Sequence, residues 1–139
     1  MPLSPLELLG SWSLDRRIED HRSGALLRVT GTTVLERTGV GEVRWQEEGR
    51  LERADGHRAP VSRVLRILRA GDDGWSVHLP DGAPFHRWEV DAPLVHLCGR
   101  DVYRGRLELS GAFRWSLTWQ VTGPAKDYRS TSVLSRPAP

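Results

Sequence analysis

The sequence predicts an all-β fold: a single antiparallel, lipocalin-like β-barrel of about eight to nine strands behind a short N-terminal helical turn. Three observations carry that expectation. Turn signals recur along the whole chain, segments of period-two alternation lie between them, and several of those segments are on the order of ten residues long. Long strands favour a coiled barrel over a short-stranded sandwich.

The helical turn is Pro5 to Leu9, immediately before Gly10 and short enough to plug one end of a barrel. The punctuation that follows is Ser23-Gly24, Thr38-Gly39, Asp55-Gly56, Gly71-Asp72-Asp73-Gly74, Asp81-Gly82, Asp91-Ala92-Pro93, Ser110-Gly111 and Gly123-Pro124. Because a strand's side chains alternate between its two faces, each segment between turns can be assigned an inner face. The first strand offers Trp12, Leu14, Arg16 and Ile18. A later one offers Val43, Trp45, Glu47, Gly49 and Leu51, and the next Val61, Arg63, Leu65 and Ile67. Phe113, Trp115, Leu117, Trp119 and Val121 alternate with polar residues and must face a core. Tyr128, Ser130, Ser132, Leu134 and Arg136 form the last strand, and the tail Arg136-Pro137-Ala138-Pro139 cannot extend it.

At 139 residues the chain suits one domain, 1–139, with 38% hydrophobic and 27% charged residues. No apolar run reaches the roughly 20 residues of a membrane helix, and no basic-then-apolar leader opens the sequence, so neither membrane nor secretion is expected. One cysteine, Cys98, excludes an internal disulfide framework, which points to the cytoplasm. The sequence pI is 9.2, yet the net charge is only +2 and arginines are interspersed with acids, as in Glu47-Glu48-Gly49-Arg50-Leu51-Glu52-Arg53. That pattern describes solvated strand faces rather than a phosphate-tracking stripe, so no nucleic-acid partner is expected. Lys126 is the single lysine among 20 basic residues, a hint that an ammonium is wanted there.

Three clusters carry whatever chemistry the barrel has. Arg16, Glu47 and Arg63 share faces with Trp, Leu, Val and Ile. A buried unpaired charge costs several kcal/mol, so each needs a partner, a water-filled cavity or a ligand. Either they line a polar lumen, or Glu47 bridges the two arginines in a filled core, or bulges turn them outward. The second cluster runs from Asp81-Gly82 through Phe85-His86 to His96, Cys98, Asp101 and Tyr103, with Gly99 expected to mark a bulge after which the parity changes. His86, His96 and Cys98 are zinc or copper ligand types, but their spacing matches no finger or ribbon, so no metal and no other cofactor is expected. His86 or His96 has acid–base capacity, Asp101 could orient one of them, and Cys98 beside a histidine could act as a nucleophile. The third cluster, Gly123-Pro124-Ala125-Lys126-Asp127-Tyr128, puts Lys126 and Tyr128 on one face at a strand mouth, a common ligand entrance.

Gly10-Ser11-Trp12 after a helical turn resembles the Gly-x-Trp signature of lipocalins and other calycins. That resemblance implies a Trp at the closed end, covered by a basic side chain of the final strand. Arg136 is positioned for this, with Arg129 as the alternative. Nearly the whole chain is similar to an uncharacterised bacterial family of calycin-like proteins. The resembling pieces are Gly10-Ser11-Trp12-x-Leu14-x-Arg16-x-Ile18, Glu47-x-Gly49-x-Leu51, Asp81-Gly82 with Phe85-His86, His96-x-Cys98 with Asp101-x-Tyr103, and Trp119-x-Val121-x-Gly123-Pro124-x-Lys126-Asp127-Tyr128. The chain departs from that pattern at Ala83, where a basic residue is usual, and at Leu134, where an aromatic is usual. The resemblance implies a fold and a site, and no activity.

The reading that follows is a small-molecule-binding barrel, monomeric or homodimeric, whose polar, Arg-lined cavity takes an anionic or polar aromatic metabolite. Arg16, Glu47, Arg63, Cys98, Trp115, Lys126 and Tyr128 are the expected ligand contacts. The first alternative is a cofactor-free isomerase, cyclase or hydrolase using His86, His96, Asp101 and Tyr103, which a histidine within reach of Asp101 or Tyr103 would favour. The second is a structural or interaction protein with a filled barrel, which a cavity under about 100 Å³ would favour, against the roughly 300 Å³ of a typical ligand site.

Overall fold

Alternation along the chain is realised as ten antiparallel strands in a computed structural model that describes residues 4–72 and 74–138. Met1–Leu3, Asp73 of the Gly71–Gly74 turn and Pro139 of the tail lie outside the described residues. The strands are β1 (Gly10–Asp20), β2 (Leu26–Gly39), β3 (Glu42–Arg53), β4 (Arg58–Ala70), β5 (Gly74–His78), β6 (Pro84–Arg87), β7 (Pro93–Cys98), β8 (Asp101–Leu109), β9 (Arg114–Thr122) and β10 (Asp127–Ser135). They form one sheet in the order β6-β5-β4-β3-β2-β1-β10-β9-β8-β7. The chain therefore meanders outward from β1 to β6, while β10 returns to pair with β1 and leads back to β7. The sheet curls until β6 meets β7, where rings pack across the seam in place of a hydrogen-bond ladder: Phe85 of β6 lies 4.9 Å from His96 of β7 between ring centroids.

Ten strands replace the eight to nine expected. β6 is only four residues long, too short for alternation to show. The bulge expected at Gly99 is a hairpin turn instead. Cys98 pairs with Asp101 and His96 with Tyr103, so Gly99 and Arg100 form a two-residue turn between β7 and β8. Gly99 has φ +60°, the value wanted at the first position of a II′ turn, which splits what read as one strand into two. His96 and Tyr103 consequently share a face.

The N-terminal plug is a 3-10 turn, Pro5–Leu8, capped by the Ser4 hydroxyl, which accepts from the Leu6 amide. Ser4 as cap and Pro5 at the first turn position suit an element this short. The turn seals the barrel through Trp12. The Trp12 indole N–H donates to the Leu8 carbonyl at 2.8 Å, and the Arg136 guanidinium lies 4.0 Å above the Trp12 ring while its Nη1 donates to the Leu9 carbonyl. Arg136 is thus the basic side chain that covers the Trp, as the calycin resemblance implied.

Above this cap the closed end is filled with indoles. Trp115 packs edge-on against Trp12 and Trp45, with centroids 5.9 and 5.7 Å apart, and Trp88 joins them at 6.0 Å. Leu14, Leu35, Val43, Leu65, Ile67, Leu117 and Leu134 complete the buried core around them. Such edge-on pairs add about 0.5–1.5 kcal/mol each beyond the area they bury. Phe113, grouped with the inward apolar set in the sequence, precedes β9 and is 38% exposed. β2 and β3 approach closely where Gly31 pairs with Gly49, and a Cβ on Gly31 would stand only 2.5 Å from the Gly49 Cα.

Candidate functional site

The inner face of β1 carries Trp12, Leu14, Arg16 and Ile18 from the filled end toward the open one, and the filling stops at Arg16. Strand register decides who meets it. Arg16 pairs with Ser132 of β10, while Glu47 of β3 pairs with Thr33 of β2 on one side and with Arg63 of β4 on the other. Each is an inward position, so the five strands deliver two guanidiniums, one carboxylate and two hydroxyls to one level of the barrel.

Glu47 is the hub. Its Oε1 lies 2.8 Å from Arg16 Nη2 and 2.9 Å from Arg63 Nη2, and its Oε2 accepts from the Thr33 hydroxyl at 3.0 Å and the Trp45 indole N–H at 3.2 Å. Arg16 Nε donates to the Ser132 hydroxyl at 2.7 Å. Burial pushes the Glu47 carboxyl pKa upward, but the facing Arg63 and Arg16 charges outweigh it and hold the group below the usual carboxylate range. Burial also lowers the Arg63 pKa, against the pull of Glu47, though a guanidinium stays charged. Two cations and one anion leave one excess positive charge at this level. The Arg63 Nε is buried with no hydrogen-bond partner, whereas 38% of the side chain is exposed.

Glu47 does bridge the two arginines, and the bridge stands in an interior that is not filled. Two cavities flank it. One of about 240 Å³ is mainly apolar, lined by Leu14, Val29, Leu51 and Val61 together with the charged network. The other, of about 190 Å³, is walled by Phe85, Trp119, Tyr103 and Tyr128, with Ser130 at its side. Arg16, Ile18 and Arg63 line both, so the guanidiniums form the partition between an aliphatic chamber and an aromatic one.

A bulge builds the aromatic wall. The β5–β6 register shifts between Val77 and His78, so that Val77 pairs with His86 and His78 with Pro84, leaving Phe85 as the extra residue. Such an insertion re-aims side chains, and here Phe85 lines the chamber while the adjacent His86 is buried behind it. Phe85 stacks on Trp119 at 13° and 5.4 Å, and His86 meets Trp119 edge-on. His86 Nδ1 lies 2.8 Å from the Arg87 carbonyl, so that nitrogen carries the proton and Nε2 is a bare acceptor, buried and without a partner. Burial pulls the His86 pKa down to about 4, opposed by the Arg87 hydrogen bond and assisted by Arg63, so the ring is neutral at pH 7.

Beside this cavity Lys126 Nζ donates to the Tyr103 hydroxyl at 3.2 Å and pairs with Asp101 Oδ2 at 3.1 Å. Those two hydrogen bonds raise the lysine pKa above its ordinary value. Burial and the neighbouring Tyr103 raise the Tyr128 pKa, so its hydroxyl keeps its proton.

The structure therefore brings together Arg16, Glu47, Arg63, Tyr103 and Tyr128, with Lys126 and Asp101 behind Tyr103. It leaves others apart. Trp115 lies in the closed-end core, and Trp119, two repeats of the alternation further along β9, lines the chamber instead. Cys98 is exposed at the end of β7. His96 is half-buried against Phe85 and Tyr103, and Asp101 is engaged by Lys126 rather than by a histidine. Among the described residues no group of three or more His, Cys, Asp or Glu side chains could hold a metal. Thr33, Trp45 and Ser132 were not singled out from sequence as partners of the charged network. The signal available was the pair of small hydroxyls, Ser130 and Ser132, on the inner face of β10.

The sequence pattern of DUF6314, a family of unknown function, matches residues 8–136, which is nearly the whole barrel from plug to cap. The chain belongs to that family. No curated protein matches it. Among solved structures the fold is similar to an S-type phycobiliprotein lyase, CPES, from Guillardia theta, with a TM-score of 0.68 at 10% identity over 96% of this chain and 90% of that one. It is also similar to two redesigned β-barrels bound to DFHBI. These are mFAP0, with a TM-score of 0.52 over 94% of this chain and 99% of that one, and mFAP1, with 0.51 over 94% and 96%, both at 14% identity. At such identities the likeness is one of fold, and it agrees with a calycin-like barrel. No helix among the described residues is long and apolar enough to cross a membrane.

Proposed function

We propose that this barrel binds a small anionic ligand at the Arg16–Arg63 partition. The observation that carries this reading is the excess positive charge there. Glu47 already accepts from four donors, and the buried Arg63 Nε–H still has no acceptor. A desolvated guanidinium is costly to leave unmet, and a carboxylate or phosphate oxygen supplies the opposite charge to its exposed part. The flanking cavities supply room, since each exceeds the size of a filled core's voids and they adjoin through shared side chains. The designed neighbours bound to DFHBI show that barrels of this shape can hold a small molecule, which supports the same reading here. We place the protein in a reducing compartment, the cytoplasm, on its exposed free Cys98.

The test is a thermal-shift and native mass-spectrometry screen of the intact chain against small carboxylic acids, phosphates and matched neutral amides. Acids should raise the melting temperature in wild type and lose that effect in Arg63→Met. A screen in which amides do as well as acids, or in which no acid binds, would sink the proposal.

A further inference from the structure

Two cavities share the arginines, and what lines them differs. The one bordered by Tyr103, Tyr128 and Ser130 offers hydroxyls that water can bond, so an alkyl group gains little by displacing water there. Away from the charged network, the one of about 240 Å³ is walled by Leu14, Ile18, Val29, Leu51 and Val61. An ordered water needs about two to four polar partners, which these five side chains do not supply.

Strand register explains the space. Leu14 of β1 pairs with Gly31 of β2, Gly31 with Gly49 of β3, and Gly49 with Val61 of β4. Two adjacent glycines therefore leave bare backbone in the middle of a row that ends in Leu14 and Val61, and Gly49 itself lines the cavity. In the next row Arg16 pairs with Val29 and Val29 with Leu51, so a guanidinium and two aliphatic side chains border the same space. Glu47, Gly49 and Leu51 thus make one short run of β3 that supplies the charged hub, the bare floor and an aliphatic wall. A cavity of about 150 Å³ holds benzene, so about 240 Å³ holds on the order of ten heavy atoms, the size of octanoate.

Building on the anion site above, we propose that the cavity over the Gly31–Gly49 pair is an alkyl subsite, and that the ligand is an aliphatic monocarboxylic acid of up to about eight carbons. The carboxylate meets Arg16 and Arg63, which line this same cavity, and the chain lies over Gly49 against Val29, Leu51 and Val61.

The experiment is isothermal titration of the full chain with the unbranched acids from butanoate to decanoate, with hexanamide as the uncharged control. Each methylene that enters an apolar site should tighten binding about fourfold. The gain should continue to about octanoate and then stop, because the cavity is full. Val61→Phe sets a ring into the cavity from β4, and hexanoate should then bind about tenfold or more weakly while butanoate changes little. A series that is flat from butanoate to octanoate overturns the alkyl subsite, and leaves the arginine site standing if those acids still bind better than hexanamide. A gain that runs unbroken to decanoate, or that persists undiminished in a folded Val61→Phe variant, overturns it as well. Hexanamide binding as tightly as hexanoate removes the arginine site, and the acid with it. The chain-length series needs no variant, so an unstable Val61→Phe does not blunt the test.

Discussion

Replacing Glu47 with Gln keeps the shape of the hub and removes its charge. Arg16 Nη2 and Arg63 Nη2 both lie within 3 Å of the one oxygen Oε1, at 2.8 and 2.9 Å, so they stand at most about 6 Å apart. Without the carboxylate they repel each other by about 3 kcal/mol at an effective dielectric of about 20. A glutamine also presents an N–H₂ where the carboxylate accepted, and four donors cannot all be met by one amide oxygen. Removing one partner of a buried ion pair generally costs about 3–5 kcal/mol. Because Arg63 is 38% exposed, water screens part of the repulsion and the lower end, about 3 kcal/mol, is expected. For a chain of this size that corresponds to a melting temperature lower by about 10 °C. Urea titration followed by tryptophan fluorescence measures it well, since Trp45 donates to this carboxylate. Glu47→Gln combined with Arg63→Met should cost less than the two single changes added, because without Arg63 the loss of the carboxylate no longer leaves two guanidiniums facing each other. The single variant should also gain more stability than wild type from any bound anion. A Glu47→Gln variant within about 1 kcal/mol of wild type would refute the hub argument, because it would mean the interior is wet enough to screen two facing guanidiniums.

Protonation of His86 gives a second expectation. Its folded pKa of about 4 lies below the ordinary 6.5, so the unfolded chain takes up the proton first as pH falls. Stability is therefore full above about pH 6.5 and declines toward pH 4, by about 3 kcal/mol from this ring. Urea midpoints measured between those pH values should show the slope, and His86→Gln should flatten it. Arg136→Met removes the guanidinium over Trp12 and its bond to the Leu9 carbonyl, at a cost of about 2 kcal/mol, read by chemical denaturation with no change in ligand binding. Gly31→Ala sets a methyl against the Gly49 Cα and the Glu48 backbone, which cannot move aside without parting β2 from β3. It should cost about 3 kcal/mol or more, and soluble expression with an unchanged melting curve would contradict the close approach.

How far the sequence reaches is clearest strand by strand. Period-two alternation on β1 placed Trp12, Leu14, Arg16 and Ile18 on one face, and the same parity turned Glu47 and Arg63 inward. Those assignments depend only on the two-residue repeat of a strand, which is local. Gly10-Ser11-Trp12 and Arg136 marked the sealed end only through the resemblance to calycins, which implies a basic side chain over that Trp. The Gly99 turn went unread because a single glycine between two alternating runs suits a bulge or a hairpin equally until pairing partners are known.

Depth and register belong to the tertiary structure. Trp115 and Trp119 share one face of β9, and nothing local separates the residue that fills the closed end from the one that walls a chamber. Closure of the sheet does that, by fixing how far along the axis each lies. Glu47 meets both arginines only because β3 sits between β2 and β4 in the observed register, where a slip of one residue would turn it to solvent. Lys126 finds Asp101 and Tyr103 from the strand hairpin across the mouth, a contact no spacing in the sequence encodes. The sequence alone determined an all-β chain whose alternation sets Arg16, Glu47 and Arg63 in register with apolar faces. Only the closed, registered sheet decided that they pair incompletely, leaving one guanidinium donor between two chambers, because pairing is a matter of distances between strands rather than of order along one.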